Sequence, residues 1–157
     1  MAKYEKYSKN FPRWEMLRSQ TASRKGISNE PTEEHEENLK ALAENVLQRV
    51  RDHFGIVNIS SGYRSPELNA AIGGAPNSQH TKGEAADIEL INPRVSNWEL
   101  ARWIQLNLSF DQLILEYPGP NPKDGWVHVS FKKNGDNRKE VLTKLPGRYV
   151  KGLVDKL

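Results

Sequence analysis

Two stretches concentrate the residues that can do chemistry. Ser78-Gln79-His80-Thr81-Lys82-Gly83-Glu84-Ala85-Ala86-Asp87-Ile88 carries a histidine and an aspartate on either side of a glycine, and Gly125-Trp126-Val127-His128-Val129-Ser130 adds a second histidine. Imidazole nitrogen and carboxylate oxygen are both zinc ligands, and a catalytic zinc usually takes three protein ligands and leaves one position to water. His80, Asp87 and His128 fill that inventory. The same residues also fit a bland reading: a loop histidine, a turn or capping aspartate and a half-exposed strand histidine. No short metal motif of fixed spacing decides between the two.

The elements around these residues must bring them together. Gly83 can adopt the positive torsion of a turn, after which 85–90 reads as a strand with Ala85, Asp87 and Glu89 on one face and Ala86, Ile88 and Leu90 on the other. Asp87 can then look back toward His80. In 126–131, Val127, Val129 and Phe131 form an apolar face, so His128 points away from the core together with Trp126 and Ser130. A third strand, 110–117, places Leu113, Leu115 and Tyr117 on one side and Gln112, Ile114 and Glu116 on the other. The proline-rich stretch 118–124 is a loop joining this strand to the His128 strand. If the two pair antiparallel, parity permits Glu116 to lie opposite or diagonal to His128.

Ser78-x-His80-x-x-Gly83-x-Ala85-x-Asp87, preceded by Ser61-Gly62-Tyr63-Arg64-Ser65 and followed by Trp126-x-His128, resembles the zinc D-Ala-D-Ala carboxypeptidases and peptidoglycan endopeptidases. The likeness is strongest to the small single-domain branch found in bacteriophages and bacteria. The run Met16-Leu17-Arg18-Ser19-Gln20-Thr21-Ala22-Ser23-Arg24-Lys25-Gly26-Ile27 extends it, so that it covers about Phe11 to Phe131. The resemblance implies zinc held by His80, Asp87 and His128, and hydrolysis of a peptide bond in a peptidoglycan stem or cross-link. It also implies an α+β fold, a small, mainly antiparallel sheet flanked by helices, of the hedgehog/DD-peptidase kind. Several members of the wider family carry a catalytic acid three residues before the final histidine, where this chain has Gly125. Glu116 is the expected general base in its place, with Asp124 as the competitor, and Arg64 is expected to hold a substrate carboxylate or the developing oxyanion.

The remaining chain supplies scaffold. A length of 157 residues suits one domain with its own core. The absence of cysteine excludes disulfides, thiolate nucleophiles and cysteine-ligated zinc. Residues 1–30 read as an arm packed on the core through Phe11, Trp14, Met16 and Leu17, with Ser19-Gln20-Thr21-Ala22 either lining a groove or forming a capped turn. A helix is predicted over 31–53, with Pro31 in its first turn, a solvated acidic start around an exposed His35, and a stripe of Leu39, Leu42, Val46, Leu47 and Val50. A strand follows at 56–60. A short helix is capped by Ser65 and ended by Gly73-Gly74, and another opens on the Ser96–Glu99 capping box, with Trp98 and Trp103 as packing residues. Ser78 and Gln79 are expected to support the His80 ring or the substrate backbone. Asn134-Gly135 signals a hairpin into a last strand near 140–143, with Tyr149 anchoring a basic tail.

Lysine and arginine total 23 against 20 acidic residues, a net charge of +3. The isoelectric point is near 9.1 and the mean hydropathy −0.75. The basic residues are scattered, so an anionic wall polymer is a better expected partner than nucleic acid. Nothing is long and apolar enough to span a membrane, and a monomer is expected. The start Met1-Ala2-Lys3-Tyr4-Glu5-Lys6 has no signal-peptide core. The expectation is therefore a protein made in the cytoplasm that acts on the wall after release, as a phage endolysin does, or as part of a phage particle. A catalytically silent wall-binding or virion module and an intracellular zinc dipeptidase are the alternatives.

Overall fold

The computed structural model describes residues 3–154. The first residues of the stretch read for a signal peptide, and the end of the basic tail, lie outside them. The chain builds a six-stranded mixed sheet in the order β3 (Val57–Ser61), β4 (Ala85–Leu90), β6 (Trp126–Ser130), β5 (Gln112–Glu116), β7 (Glu140–Leu145), β8 (Arg148–Lys151). Every neighbouring pair is antiparallel except β5 and β7. A two-stranded ribbon, β1 (Lys6–Ser8) with β2 (Phe11–Pro12), stands apart from it. The α+β, mainly antiparallel architecture is the one anticipated.

Alternation decides which sheet face is covered. Ile59, Ala86, Ile88, Leu113, Leu115, Val127 and Val129 are buried in one apolar cluster. Into it pack Leu39 and Leu42 of α3 (Glu33–Leu42), Val50 of α4 (Gln48–Phe54), and Leu100 and Ile104 of α6 (Asn97–Asn107). The opposite face is left open, and Asp87, His128 and Glu116 lie on it.

The long helix differs in detail from its sequence reading. It starts at Glu33 behind the Thr32 cap, whose Oγ1 accepts from the His35 N–H, so Pro31 lies before the helix. Between α3 and α4 it widens into a π-helical turn at Ala43–Leu47. The acidic start is not wholly solvated. Glu36 is buried and accepts from Tyr7 Oη at 2.7 Å and Arg13 Nε at 2.5 Å, which ties the amino-terminal arm to the core. His35 is half-buried, its Nδ1 3.2 Å from the Tyr63 hydroxyl. The arm also contains α1 (Arg13–Leu17) and α2 (Gln20–Lys25), and buries Phe11 and Met16. Trp14 is no anchor, being 62% exposed with the Arg18 guanidinium over its ring.

The carboxy-terminal part departs most. Residues 132–139 do not form a hairpin back onto β6. They carry the chain past the end of the sheet, so that β7 joins β5 in parallel, and β8, unseen in the sequence, closes the edge as a hairpin through Gly147. The cause is Asp111, fully buried just before β5. It accepts from Arg138 through the backbone N–H at 3.1 Å, Nε at 3.0 Å and Nη2 at 2.8 Å. Tyr149 is likewise not buried but 55% exposed, its ring 4.1 Å beneath Lys144 Nζ. Tyr117, expected beside Leu113 and Leu115, takes a positive φ of 52° and leaves the alternation; its ring lies 5.5 Å from that of Trp126.

Candidate metal centre

Three short elements deliver three donors. Gly83, at φ 73°, ends a single 3-10 turn, Gln79–Lys82, that presents His80. Asp87 sits mid-way along β4, and in the β4–β6 ladder it lies directly opposite His128. One donor atom from each of His80, Asp87 and His128 falls within 4.8 Å of the others. Asp87 Oδ1 is shared, 3.3 Å from His80 Nε2 and 2.9 Å from His128 Nδ1. Both His80 and Asp87 are almost fully buried.

The ring of His80 is fixed from behind. Its Nδ1 lies 2.7 Å from the Gly62 carbonyl oxygen, so Nδ1–H donates there and the Nε2 lone pair faces Asp87 and His128. That carbonyl, rather than the Ser78 or Gln79 side chain, does the orienting. Ser78 Oγ instead accepts from the His80 backbone N–H at 3.2 Å, and Gln79 reaches Asp111 Oδ2 at 3.1 Å. Gly62 has no substitute: a Cβ there would overlap the Met16 carbonyl oxygen, which accepts the Tyr63 N–H next along the chain. No side-chain pattern in the sequence points to a backbone carbonyl.

The protonation states favour metal binding. Burial pushes the His80 pKa down, helped by the nearby His128 and Arg64 charges, so its imidazole is neutral. Burial works against an ionised Asp87, but hydrogen bonds from His128 and His80 outweigh it and hold the carboxyl well below the usual carboxylate range. Two neutral imidazoles and one carboxylate facing a common point form a donor set that suits zinc.

Two further groups line the same cleft of about 850 Å³. Glu116 pairs with Trp126 across the β5–β6 ladder, while Ile114 pairs with His128, so Glu116 stands diagonal to His128 on the open face. Burial, and then the Asp87 carboxylate, raise its pKa. Arg64 follows β3 and precedes the Ser65 cap of α5 (Pro66–Ala71), its backbone N–H donating to the His80 carbonyl at 3.1 Å. Its guanidinium donates from Nε to Ser61 Oγ at 3.1 Å and from Nη1 to Asn69 Oδ1 at 3.3 Å, leaving Nη2 3.7 Å from Asp87 Oδ2. Asp124 does not join them. Its Oδ2 accepts from the Asn121 N–H at 3.1 Å, and its side chain lines a separate cavity with Asn97 and Trp98. The structure also brings Tyr117, Trp126 and Tyr149 to the cleft wall, none of which the sequence marked as a cleft residue.

The peptidase M15 family pattern matches residues 9–130, most of the chain and all of the donor trio. The chain belongs to the peptidase M15 family. No curated protein matches it. This M15 chain is a metallopeptidase of a zinc-dependent family, and such an enzyme acts on a peptide substrate. Among its described residues no helix is long and apolar enough to cross a membrane. Its departure from the wider family at Gly125 has a steric cause. Gly125 has φ 75°, and a Cβ there would overlap the carbonyl oxygen of Glu116. An acidic side chain cannot occupy that position in this backbone.

Proposed function

We propose that the protein is a zinc-dependent peptidoglycan peptidase in which His80, Asp87 and His128 hold the metal, Glu116 is the general base and Arg64 binds the oxyanion or a substrate carboxylate. The carrying observation is the meeting of two imidazoles and one carboxylate on an open sheet face, with a half-buried glutamate one strand away. Bound by these residues, zinc would supply Lewis acidity to the scissile carbonyl and to water. Glu116 takes a proton from the attacking water and returns it to the leaving amine, a role suited by its raised pKa. Arg64, steadied by Ser61 and Asn69, donates to the oxygen on which negative charge develops. Asp124 is set aside as base because it faces another cavity.

The open cleft suits a segment of a polymer, and the slight positive charge suits an anionic wall. In this reading the enzyme meets its substrate outside the cytoplasm, after release or as part of a phage particle. The test is mass spectrometry of the soluble products from purified sacculi incubated with zinc-loaded protein, beside His80→Ala. New muropeptides from the wild type alone establish the activity and identify the bond. Cleavage of free dipeptides with intact sacculi replaces it by a dipeptidase, and binding to sacculi without products by a silent wall module.

A further inference from the structure

The amino-terminal arm leaves a second groove of about 910 Å³ beside the cleft, and the two share Arg64 and Ile72. Ser19, Gln20 and Thr21 line it, so the stretch is both things the sequence allowed: Ser19 Oγ caps α2 by accepting from the Ala22 N–H, and its neighbours face a groove. The groove runs along β3, the outer strand of the sheet, whereas Glu116 lies beyond the donor trio on β5. A chain entering it therefore extends the cleft away from Glu116.

The charge of this groove is one-sided. Arg18, Arg24 and Arg64 line it, and among the described residues no aspartate or glutamate does. The main cleft, in contrast, contains Glu84, Asp87, Asp111 and Glu116. Neither Arg18 nor Arg24 forms an ion pair among the described residues, although Arg13, close by in sequence, has two. Arg18 is held in place without a carboxylate: its Nη2 donates to the Ile59 carbonyl at 3.3 Å and Asn58 Oδ1 at 3.4 Å, and its guanidinium lies over Trp14. A planar guanidinium fixed in this way is preorganised for a carboxylate.

We propose that the arm groove is a binding subsite for an anionic segment of the peptide substrate, with Arg18 and Arg24 pairing its carboxylates. This deepens the peptidase reading and rests on it. Two synthetic stem tetrapeptides test it, one with the α-carboxylate of its γ-linked glutamate free and one with that group amidated. Steady-state kinetics and anisotropy of fluorescein-labelled versions are measured for the wild type, R18Q/R24Q and R24E. The expected result is a rise of about five- to ten-fold in KM and Kd for the free-carboxylate peptide only, with kcat little changed and the difference shrinking in high salt. R24E removes no contact within the protein, so its effect is free of any folding defect in the double variant. Equal changes for both peptides, or no change for either, overturn the subsite. If the wild type cleaves neither peptide, anisotropy alone decides. Charge-dependent loss of binding then upholds the groove while the peptidase reading falls, and charge-independent binding overturns the groove.

Discussion

At Gly125 and Glu116 a single backbone contact determines where the acid of this site can be. The β5 carbonyl of Glu116 occupies the space a side chain at 125 would need, so an acid on that face must come from β5. Glu116→Gln keeps the shape and removes the base. It should lower kcat by about 10²–10⁴-fold with one zinc per chain retained by elemental analysis; full activity would remove Glu116 from the mechanism. Gly62 presents the converse case, a residue without a side chain that aims the His80 ring through its carbonyl. Gly62→Ala forces Met16 away and displaces that carbonyl. A loss of about 10–100-fold in zinc affinity is expected, read by chelator competition, and an unchanged affinity would show that the ring needs no such support. The placement of His80, Asp87, His128 and Glu116 was legible because strand parity is written in the sequence. The Gly62 carbonyl was not, since a backbone acceptor leaves no trace in residue type.

The same limit recurs in the elements. Alternation gave β4, β5 and β6, and caps gave α5 and α6, because each is a local pattern. The placement of β7 is not local: it depends on Asp111 and Arg138, 27 residues apart, meeting through three hydrogen bonds. An Asn-Gly pair argues for a hairpin, but the buried carboxylate overrides it by drawing residue 138 past the sheet end. Asp111→Asn weakens this clamp and should cost about 1.5–3 kcal/mol, measured by urea unfolding. It should also alter the pH dependence. Although burial opposes it, Arg138 holds the Asp111 pKa below its ordinary value, so its contribution is complete above about pH 4 and lost as pH falls through the lower folded value. The wild type should accordingly lose stability faster than the variant on acidification below pH 4. Parallel curves would mean that Asp111 does not contribute as a charge.

For the whole molecule, the donor trio links parts that the chain assembles late. His80 comes from a turn after α5, Asp87 from β4 and His128 from β6, 41 residues further on, and an unfolded chain does not hold them together. Metal that binds only the folded form must therefore stabilise it by mass action, by about 2.7 kcal/mol at a hundredfold excess over Kd. For a chain of this size that is a rise of about 5–10 °C in Tm. Zinc titration followed by calorimetry should show that rise, EDTA should reverse it, and His80→Ala should abolish it. The rise should also fade below about pH 6, where histidines in the unfolded chain and protons at the site compete with the metal. Arg18→Gln should leave the shift intact, because the arm groove touches neither histidine. A wild-type Tm that ignores zinc would mean that the three donors meet for a structural reason alone, as a buried carboxylate shared between two imidazoles. The sheet would then owe its open face to something other than metal chemistry.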